Sequence, residues 1–315
     1  MQKLAIGIDI GGTNVSYGIV TNEGEVILKK SFPFKNFKTA EIFIDFLTKE
    51  LKNTFKDLPK GSSIKGIGIG APNGNFYTGT IEYAPNLNWE GIIPLADMLN
   101  KTLNYPVKLT NDANAATIGE MIYGNAKNIK NFMFITLGTG VGSGFVANGE
   151  IILGHDGFAG ELGHAIFDPN GRQCNCGRKG CLETYASASG IVRTVLELLS
   201  KSDEPSVLRE ISLDEISSKM IYEAALEEDI IALTAFDYTS YVLGIMLANA
   251  VAITSPEAIF LFGGLANAGD LIFKPTKKYM EEYLLNIYKN KIDIKASALP
   301  ENDAAILGAA ALVWE

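Results

Sequence analysis

A histidine and three cysteines are spaced as ligands of one metal ion. His164 is followed by Cys174, Cys176 and Cys181, and the chain has 3 cysteines in all. One imidazole and three thiolates make a closed tetrahedral set for Zn²⁺. The alternative is a cluster of buried free thiols, which such close spacing disfavours. We therefore expect a structural zinc ion that shapes a loop and activates no water, because protein atoms fill every position on the metal.

Glycine-rich turns follow three of the apolar runs that are predicted to be strands. The first turn extends from Asp9 to Asn14, the second from Gly138 to Gly144, and the third follows Phe262. Backbone N–H groups come close to a phosphate at such turns because glycine has no side chain. A hairpin turn explains any one of them alone, but the three together favour a nucleotide site. Its candidate residues are Gly11, Gly12, Thr13, Asn14, Gly138, Thr139, Gly140, Gly263 and Gly264.

Several polar side chains could serve the chemistry directly. Asp9 stands beside the first turn, where a carboxylate can hold Mg²⁺ through water. Zinc-bound His164 could offer its second ring nitrogen to a hydroxyl, and the same loop would orient Glu183. A solvated surface group or a helix N-cap is the ordinary alternative for each carboxylate, Asp112 included. The candidates for one polyol-binding pocket are Asn111, Asp112, Glu161, His164 and Glu183.

The order of elements predicts two α/β lobes of related design. Apolar and alternating runs predict a three-stranded meander from Lys3 to Phe34, a helix over Thr39 to Leu58 and a strand from Ile64. A strand, glycine turn and strand recur after residue 130, and mainly helical spacing follows residue 187. The helices are predicted over 187–199, 213–226, 230–253, 278–288 and 304–313. We expect a smaller lobe of residues 1–115 plus about 302–315, a larger lobe of about 116–301, and a ligand cleft between them.

Composition excludes several partners. The 315 residues are 47% hydrophobic and 20% charged, which is ordinary for a globular protein. A net charge of −9 leaves no basic surface for nucleic acid. The apolar stretch from Tyr241 to Ile253 is shorter than a membrane span and contains Asn249, so we expect a buried helix and no membrane contact. The N-terminus lacks a signal-peptide pattern, and clustered thiols suit a reducing compartment, so we expect a cytoplasmic protein.

The motifs together resemble the ROK (repressor, open reading frame, kinase) family of sugar kinases and regulators. The resemblance covers nearly the whole chain and rests on DIGGTN, GIGAPNG, NLNW, TNDANAA, TLGTGVGSG, GELGH, CNCGRKGCLE and DAAILGAAAL. It implies an α/β, two-lobe actin-like (ribonuclease H-like) fold in which Mg·ATP and sugar meet in the cleft. It also implies that Asp112 is the catalytic base and that Gly74 lies on the sugar-side loop. The sugar-hydroxyl ligands implied are Asn111, Glu161, His164 and Glu183, and the zinc ligands are His164 and the three cysteines.

Two sequence motifs depart from the usual family pattern. The sugar-side loop is Gly-Ala-Pro-Asn-Gly where the family commonly has Gly-x-Pro-Gly, which introduces Asn73. The third glycine turn is FGGL where a run of three glycines is usual. These departures affect what the resemblance implies for contacts on the sugar-side loop and with the adenosine.

The expected function is ATP-dependent phosphorylation of the 6-hydroxyl of a hexose. Glucose is the first candidate substrate, and glucose 6-phosphate would be its product. Fructose, mannose, N-acetylmannosamine and N-acetylglucosamine are alternative substrates, and polyphosphate is an alternative donor. A non-catalytic sugar sensor and an actin- or chaperone-like ATPase are alternatives of other classes, which the intact Asp9, Asp112, phosphate turns and zinc loop disfavour. The family's repressors carry an N-terminal helix-turn-helix, whereas Met1 leads directly into a strand here. The resemblance also implies a homodimer or higher homo-oligomer.

Overall fold

The computed structural model describes residues 2–314, and these form two compact units. The first unit contains the chain through Asn128, residues 151–159 and the residues from Ala298 onward. The second contains residues 129–150 and 160–297. The predicted boundary near residue 115 falls inside a helix of the first unit, and the short segment 151–159 was expected in the other lobe.

The elements occur in the following order. The strands are β1 (Gln2–Ile10), β2 (Asn14–Thr21), β3 (Val26–Pro33), β4 (Ser62–Gly70), β5 (Gly74–Asn75), β6 (Thr80–Glu82), β7 (Ile92–Ile93), β8 (Val107–Thr110), β9 (Phe132–Leu137), β10 (Val141–Ala147), β11 (Glu150–Ile151), β12 (Ala258–Phe262) and β13 (Asp293–Ala296). The helices are α1 (Ala40–Thr54), α2 (Leu95–Leu103), α3 (Asp112–Tyr123), α4 (Glu183–Ala186), α5 (Ala188–Lys201), α6 (Ser218–Leu226), α7 (Ile230–Thr254), α8 (Asp270–Tyr283) and α9 (Ala304–Ala311).

The first unit is built on a five-stranded sheet in the order β3-β2-β1-β4-β8. The meander β1 to β3 is antiparallel, as predicted, and β1, β4 and β8 are parallel. Isoleucine and glycine alternate along β1 and β4, so the two faces of the sheet differ. Ile67 and Ile69 join the apolar core formed with α1 and α2. The glycines face α9, where a Cβ on Gly68 would lie 1.8 Å from the Ala309 carbonyl oxygen. The helix therefore packs directly on the backbone of the sheet.

A small antiparallel sheet of β5, β6 and β7 extends the first unit. Segment 151–159 is bound to it through side chains of the 75–77 loop. The Asn75 side-chain amide donates to the Asp156 carbonyl at 2.9 Å, and the Tyr77 hydroxyl donates to the Gly154 carbonyl at 2.9 Å. These bonds assign the segment to the first unit although its neighbours on both sides in the chain belong to the second.

The second unit repeats the same sheet plan in the order β11-β10-β9-β12-β13. Strands β9 and β10 are antiparallel, while β9, β12 and β13 are parallel. Its apolar core unites the sheet with α5, α6, α7 and α8. Two α/β units with this shared topology confirm the predicted actin-like fold class.

The long helix α7 requires a correction to the membrane argument. It has 25 residues, and an 18-residue window within it has a mean hydropathy of 1.6, so length and composition alone would allow it to cross a membrane. Most of its apolar residues, such as Phe236, Leu243 and Leu247, are buried in the core of the second unit. The prediction of a buried helix is confirmed, but the reason is packing and not insufficient length. Such burial is that of a core helix in a soluble protein.

Two local predictions were wrong in extent. The glycine turn after β9 spans only Gly138–Gly140, because Val141 already begins β10 and the later glycines lie within that strand. Helix α8 begins eight residues before the predicted start at residue 278 and ends at Tyr283. Pro275 lies inside it, and a proline there lacks the N–H of a helical hydrogen bond, which obscured the helical pattern.

Candidate active site

The carboxyl ends of three parallel strands converge in the first unit. The register pairs Asp9 of β1 with Gly70 of β4, and Gly70 with Thr110 of β8. Asp112 then begins α3 directly after β8, and its Cα would lie 3.7 Å from a Cβ on Gly70. Because Gly70 has no side chain, the start of α3 lies over the strand next to Asp9. The structure thus brings the two predicted carboxylates to one edge of the sheet.

Asn111 fixes the start of α3. Its side-chain oxygen accepts from the N–H groups of Ala113 at 2.7 Å and Asn114 at 3.3 Å, which caps the helix. The carboxylate of Asp112 accepts from Ala113 N–H at 2.8 Å. Asn111 is therefore the N-cap, a role considered above for Asp112, and the side chain of Asp112 remains exposed.

The two carboxyl groups have perturbed acidity. Burial, and secondly the charge of Asp112, raises the pKa of Asp9 to about 7. Desolvation by the surrounding protein also raises the pKa of Asp112, although backbone hydrogen bonds at its own helix start act in the opposite direction. Solvent still reaches the Asp112 side chain. Dense surroundings combined with solvent access suit a proton acceptor that a small hydroxyl compound can approach.

The turn after β1 leaves polar atoms available to a ligand. Gly12, Thr13 and Asn14 are exposed, and Gly11 N–H donates to the Asn14 carbonyl at 2.9 Å to close the turn. A Cβ on Gly12 would lie 2.7 Å from the Asn86 carbonyl oxygen, so the NLNW segment packs against the turn. This contact explains why a glycine is required there, independently of any phosphate.

The unusual Asn73 has a structural role in the sugar-side loop. Its φ of 50° is left-handed, a conformation that asparagine tolerates better than most residues. Its side-chain amide donates to the carbonyls of Glu82 at 2.9 Å and Tyr83 at 3.3 Å. A Cβ on the next residue, Gly74, would lie 2.3 Å from the Thr110 carbonyl oxygen. Asn73 therefore holds the loop, and Gly74 lets it pack onto the end of β8.

Two glycine turns lie side by side in the second unit. The Gly138–Gly140 turn follows β9, and Gly263 follows the neighbouring strand β12 with a φ of 100°. A Cβ on Gly263 would lie 2.9 Å from the Leu137 carbonyl oxygen, so the two turns are packed together. Thr139 and Gly264 are exposed beside them.

A cavity of about 320 Å³ adjoins the third glycine turn. Its lining includes Gly264, Leu265 and Asn267, together with Tyr222 and Phe236. Its lining is mainly apolar and includes the half-buried Tyr222, which suits a flat heterocycle. Tyr222 and Phe236 were not predicted here, because they lie in helices without any local motif.

Glu183 is held against the second glycine turn. One of its carboxylate oxygens accepts from Val141 N–H at 3.0 Å. A Cβ on Gly140 would lie 2.3 Å from the same oxygen, so only glycine leaves room for this contact. Glu183 is half-buried, and it begins the short helix α4.

The GELGH segment packs tightly on β10. Ser143 Oγ donates to the Gly160 carbonyl and accepts from Leu162 N–H at 3.0 Å, so it holds the backbone on both sides of Glu161. A Cβ on Gly163 would lie 2.0 Å from the Val141 carbonyl oxygen. Glu161 and His164 are thereby presented by a fixed backbone, with Glu161 exposed and His164 half-buried.

The four predicted zinc ligands are brought together. Their ligand atoms all lie within 4.8 Å of one another. Cys176 Sγ lies 3.6 Å from Cys181 Sγ, and Cys174 Sγ lies 3.7 Å from His164 Nδ1. Two thiolates on one tetrahedral zinc ion should be about 3.8 Å apart. The donor set and its spacing therefore fit zinc, with Nδ1 of His164 facing the metal position.

The free thiols have unequal acidity. Burial would raise the pKa of Cys176, but hydrogen bonds from Arg178 and the neighbouring thiols lower it to about 6. Burial and hydrogen bonds with the other two cysteines raise the pKa of Cys181 to about 12. Arg178 also donates to the His164 carbonyl at 2.9 Å, so this arginine helps to organise the cluster.

The comparisons with known proteins place these features in context. The sequence matches the ROK family over residues 5–315. A glucokinase from Halalkalibacterium halodurans is 38% identical over 315 residues, covering 98% of this chain and 94% of that protein. A putative xylose repressor from Caldicellulosiruptor sp. is 30% identical over 313 residues, covering 98% of this chain and 78% of that protein. The ROK family glucokinase from Streptomyces griseus, solved with glucose and AMPPNP, has a TM-score of 0.81 and 31% identity, with 98% of each chain covered.

Proposed function

Because the chain belongs to the ROK family, we propose that it transfers the γ-phosphoryl group of ATP to the 6-hydroxyl of glucose, with Asp112 as general base. The observation that carries the proposal is the exposed Asp112 carboxylate at the start of α3, at the same sheet edge as Asp9. The glucokinases among the similar proteins support glucose as the acceptor. A raised pKa makes the Asp112 carboxylate a stronger base than an ordinary surface aspartate.

Asp112 accepts the proton of the sugar hydroxyl as the phosphoryl group is transferred. The N-cap bonds of Asn111 hold the start of α3, so the carboxylate is placed before the reaction begins. Phosphoryl transfer depends on position and on charge neutralisation more than on covalent chemistry. A positioned general base typically contributes about 10²- to 10⁴-fold in rate.

The phosphates of the nucleotide are proposed to bind the glycine-rich turns that follow β1 and β9, with Asp9 beside the first turn. Exposed Thr13 and Thr139 can donate to phosphate oxygens together with backbone N–H groups of their turns. Asp9 would hold Mg²⁺ through water, and the cation supplies charge neutralisation on the phosphates. Because burial raises the pKa of Asp9 to about 7, a nearby cation would favour the ionised form.

The adenosine is proposed to occupy the cavity beside Gly264. Tyr222 offers a half-buried aromatic ring, and the exposed Gly264 lets the nucleotide lie against the backbone. Leu265 stands where the usual run would have its third glycine. Its side chain lines the same cavity and adds to the apolar lining.

Glu161, His164 and Glu183 are proposed to bind sugar hydroxyls. His164 would ligate zinc through Nδ1 and offer Nε2 to a hydroxyl, because Nδ1 faces the cysteines. Cys174, Cys176 and Cys181 complete the metal set, and a closed set gives the ion a structural role. We also place the protein in the cytoplasm, where thiols stay reduced, as a homo-oligomer of the kind that the resemblance implies.

A coupled ADP-release assay with Mg·ATP tests the proposal against glucose, fructose, mannose, N-acetylglucosamine and N-acetylmannosamine. Glucose-dependent turnover is expected, and polyphosphate in place of ATP tests the donor. Preference for an acetamido sugar would keep the mechanism and change the substrate. Binding of glucose without turnover would favour a sugar sensor, and turnover of ATP that is independent of sugar would favour an ATPase.

The variant Asp112→Asn tests the base. Turnover should fall about 10²- to 10⁴-fold while glucose binding, measured by calorimetry, stays within about twofold. Asp97→Asn is the matched control, because Asp97 also lies in the first turn of a helix and is exposed. Wild-type turnover in Asp112→Asn would contradict the assignment.

A further inference from the structure

Arg172 makes an unusually complete set of bonds for a side chain outside any recognised motif. Its side chain is 6% exposed. Nε and Nη2 donate to the two carboxylate oxygens of Glu197 at 2.9 and 2.8 Å. Nη1 donates to the carbonyls of Thr184 at 2.8 Å and Gly190 at 3.2 Å, and Nη2 also donates to Thr194 Oγ1 at 3.0 Å. Every N–H of the guanidinium group is therefore used.

The bond to Thr184 acts on the helix that carries Glu183. Helix α4 has only four residues, so its carbonyls lack the usual intrahelical partners. The Ala188 N–H, which would otherwise bond Thr184, donates to the Gly138 carbonyl at 2.8 Å instead. Arg172 satisfies the Thr184 carbonyl in its place, at the residue directly after Glu183.

Further contacts of Arg172 join α4 to the metal loop. The guanidinium carbon of Arg172 lies 4.6 Å from the ring centroid of Tyr185. The backbone N–H of Arg172 donates to the Tyr185 hydroxyl at 3.0 Å. The Gly180 N–H donates to the Arg172 carbonyl at 2.7 Å. Arg172 therefore connects the two ends of the metal loop, at residues 172 and 180, to the helix that starts at Glu183. None of these contacts involves a metal ligand.

We propose that Arg172 is a positioning residue for the sugar ligand Glu183, and that it holds α4 in place whether or not zinc is bound. This inference rests on the proposed role of Glu183 in sugar binding. The metal shapes the cysteine loop, while the guanidinium group sets the position of the backbone next to Glu183. Loss of Arg172 should therefore weaken binding of the sugar while leaving nucleotide binding and zinc content unchanged.

The test compares Arg172→Lys with the matched control Arg193→Lys. A lysine keeps the charge, but its three N–H donors on one nitrogen cannot replace the five bonds that Arg172 makes from three nitrogens. Arg193 lies on α5, donates to the Gln173 carbonyl at 3.0 Å and pairs with the Glu197 carboxylate at 3.7 Å. Its side chain is 42% exposed, and its bonds within the described residues do not reach α4. We expect the glucose KM to rise about 10- to 100-fold in Arg172→Lys only, with the ATP KM within about twofold.

Hydrogen exchange supplies a readout that does not depend on turnover. Amides of residues 182–190 should exchange about tenfold faster in Arg172→Lys, with and without a zinc chelator, and stay protected in chelated wild type. An unchanged glucose KM and exchange rate in Arg172→Lys would overturn the inference. Equal loss of protection in chelated wild type would assign the positioning to zinc. A wild type without glucose turnover would refute the proposed function, and the exchange comparison would still decide the role of Arg172.

A second variant, Glu197→Gln, tests the same contact in case Arg172→Lys does not fold. Glu197→Gln removes the charge of the partner from a side chain that is 41% exposed, so the core is undisturbed. It should raise the glucose KM in the same direction, by a smaller factor. We expect both variants to retain one zinc per chain, measured with a chromogenic chelator. Loss of zinc together with a higher ATP KM would instead indicate that Arg172 has a general structural role.

Discussion

Replacing Asp9 with asparagine should stabilise the nucleotide-free protein while it removes activity. The carboxyl of Asp9 is half-buried at the end of β1, and burial together with the charge of Asp112 raises its pKa to about 7. An aspartate in the unfolded chain has a pKa near 3.8. Below that pH both states bind the proton, and Asp9 has no effect on stability. As the pH rises above it, the unfolded state loses the proton first, so the free energy of unfolding decreases.

The magnitude follows from the two pKa values. The difference between about 7 and 3.8 corresponds to about 4 kcal/mol of destabilisation above pH 7. Solvent screening at a half-buried group reduces this to about 2 kcal/mol. Asp9→Asn removes the charge without changing the shape of the side chain. The variant should therefore melt about 4 to 8 °C above wild type at pH 8, and the gain should shrink as the pH falls from 7 toward 4.

The assay is calorimetric melting between pH 4.5 and pH 8 without Mg²⁺ or nucleotide. Asp45→Asn on α1 is the control, because Asp45 is exposed and its replacement should give no pH-dependent gain. Addition of Mg·ATP should raise the melting temperature of wild type more than that of Asp9→Asn. A gain that is absent at pH 8, or the same at every pH, would refute the reasoning about burial.

Three further results are expected. Gly140→Ala should raise the glucose KM about tenfold, because the new Cβ would lie 2.3 Å from the Glu183 carboxylate. The control Gly138→Ala should leave that KM unchanged, because no atom lies within 4 Å of its new Cβ. Tyr222→Ala should raise the ATP KM about tenfold with an unchanged glucose KM, and equal changes in both would argue against the adenosine cavity. Cys176→Ser should lower bound zinc and raise the glucose KM about tenfold without unfolding the protein, since Cys176 is exposed; zinc analysis and steady-state kinetics check this.

Most of the fold was predictable because hydrophobic periodicity is strong in the sheets. The alternation of isoleucine and glycine in β1 and β4 encodes both the strand and the close packing of α9. Residues 76–106 were left unassigned because β6 and β7 have only two or three residues each. Helix α2 did carry a signal, since Leu95, Leu99 and Leu103 recur every four residues and are buried.

The candidate site was predictable where ligands are close in sequence. The cysteine spacing led directly to the metal cluster, and the residues after β8 led to Asp112. The assignment of segment 151–159 to the first unit was not accessible, because it depends on bonds from Asn75 and Tyr77 to distant backbone carbonyls. The same holds for the bonds from Arg172 to Thr184 and Gly190, which accept through their carbonyl oxygens. Any residue type can supply a carbonyl, so such contacts leave no sequence pattern.

The packing of α9 on the glycine face of β1 and β4 also affects how the chain acquires its structure during synthesis. The ribosome produces β1 nearly 300 residues before α9 (Ala304–Ala311). Until then the strips of backbone at Gly7 and Gly68 have no helix to cover them, so the first unit cannot complete its core. The second unit consists of residues that are all made earlier and can finish first. A released chain that is truncated before Ala304 should therefore resist protease only within 129–150 and 160–297.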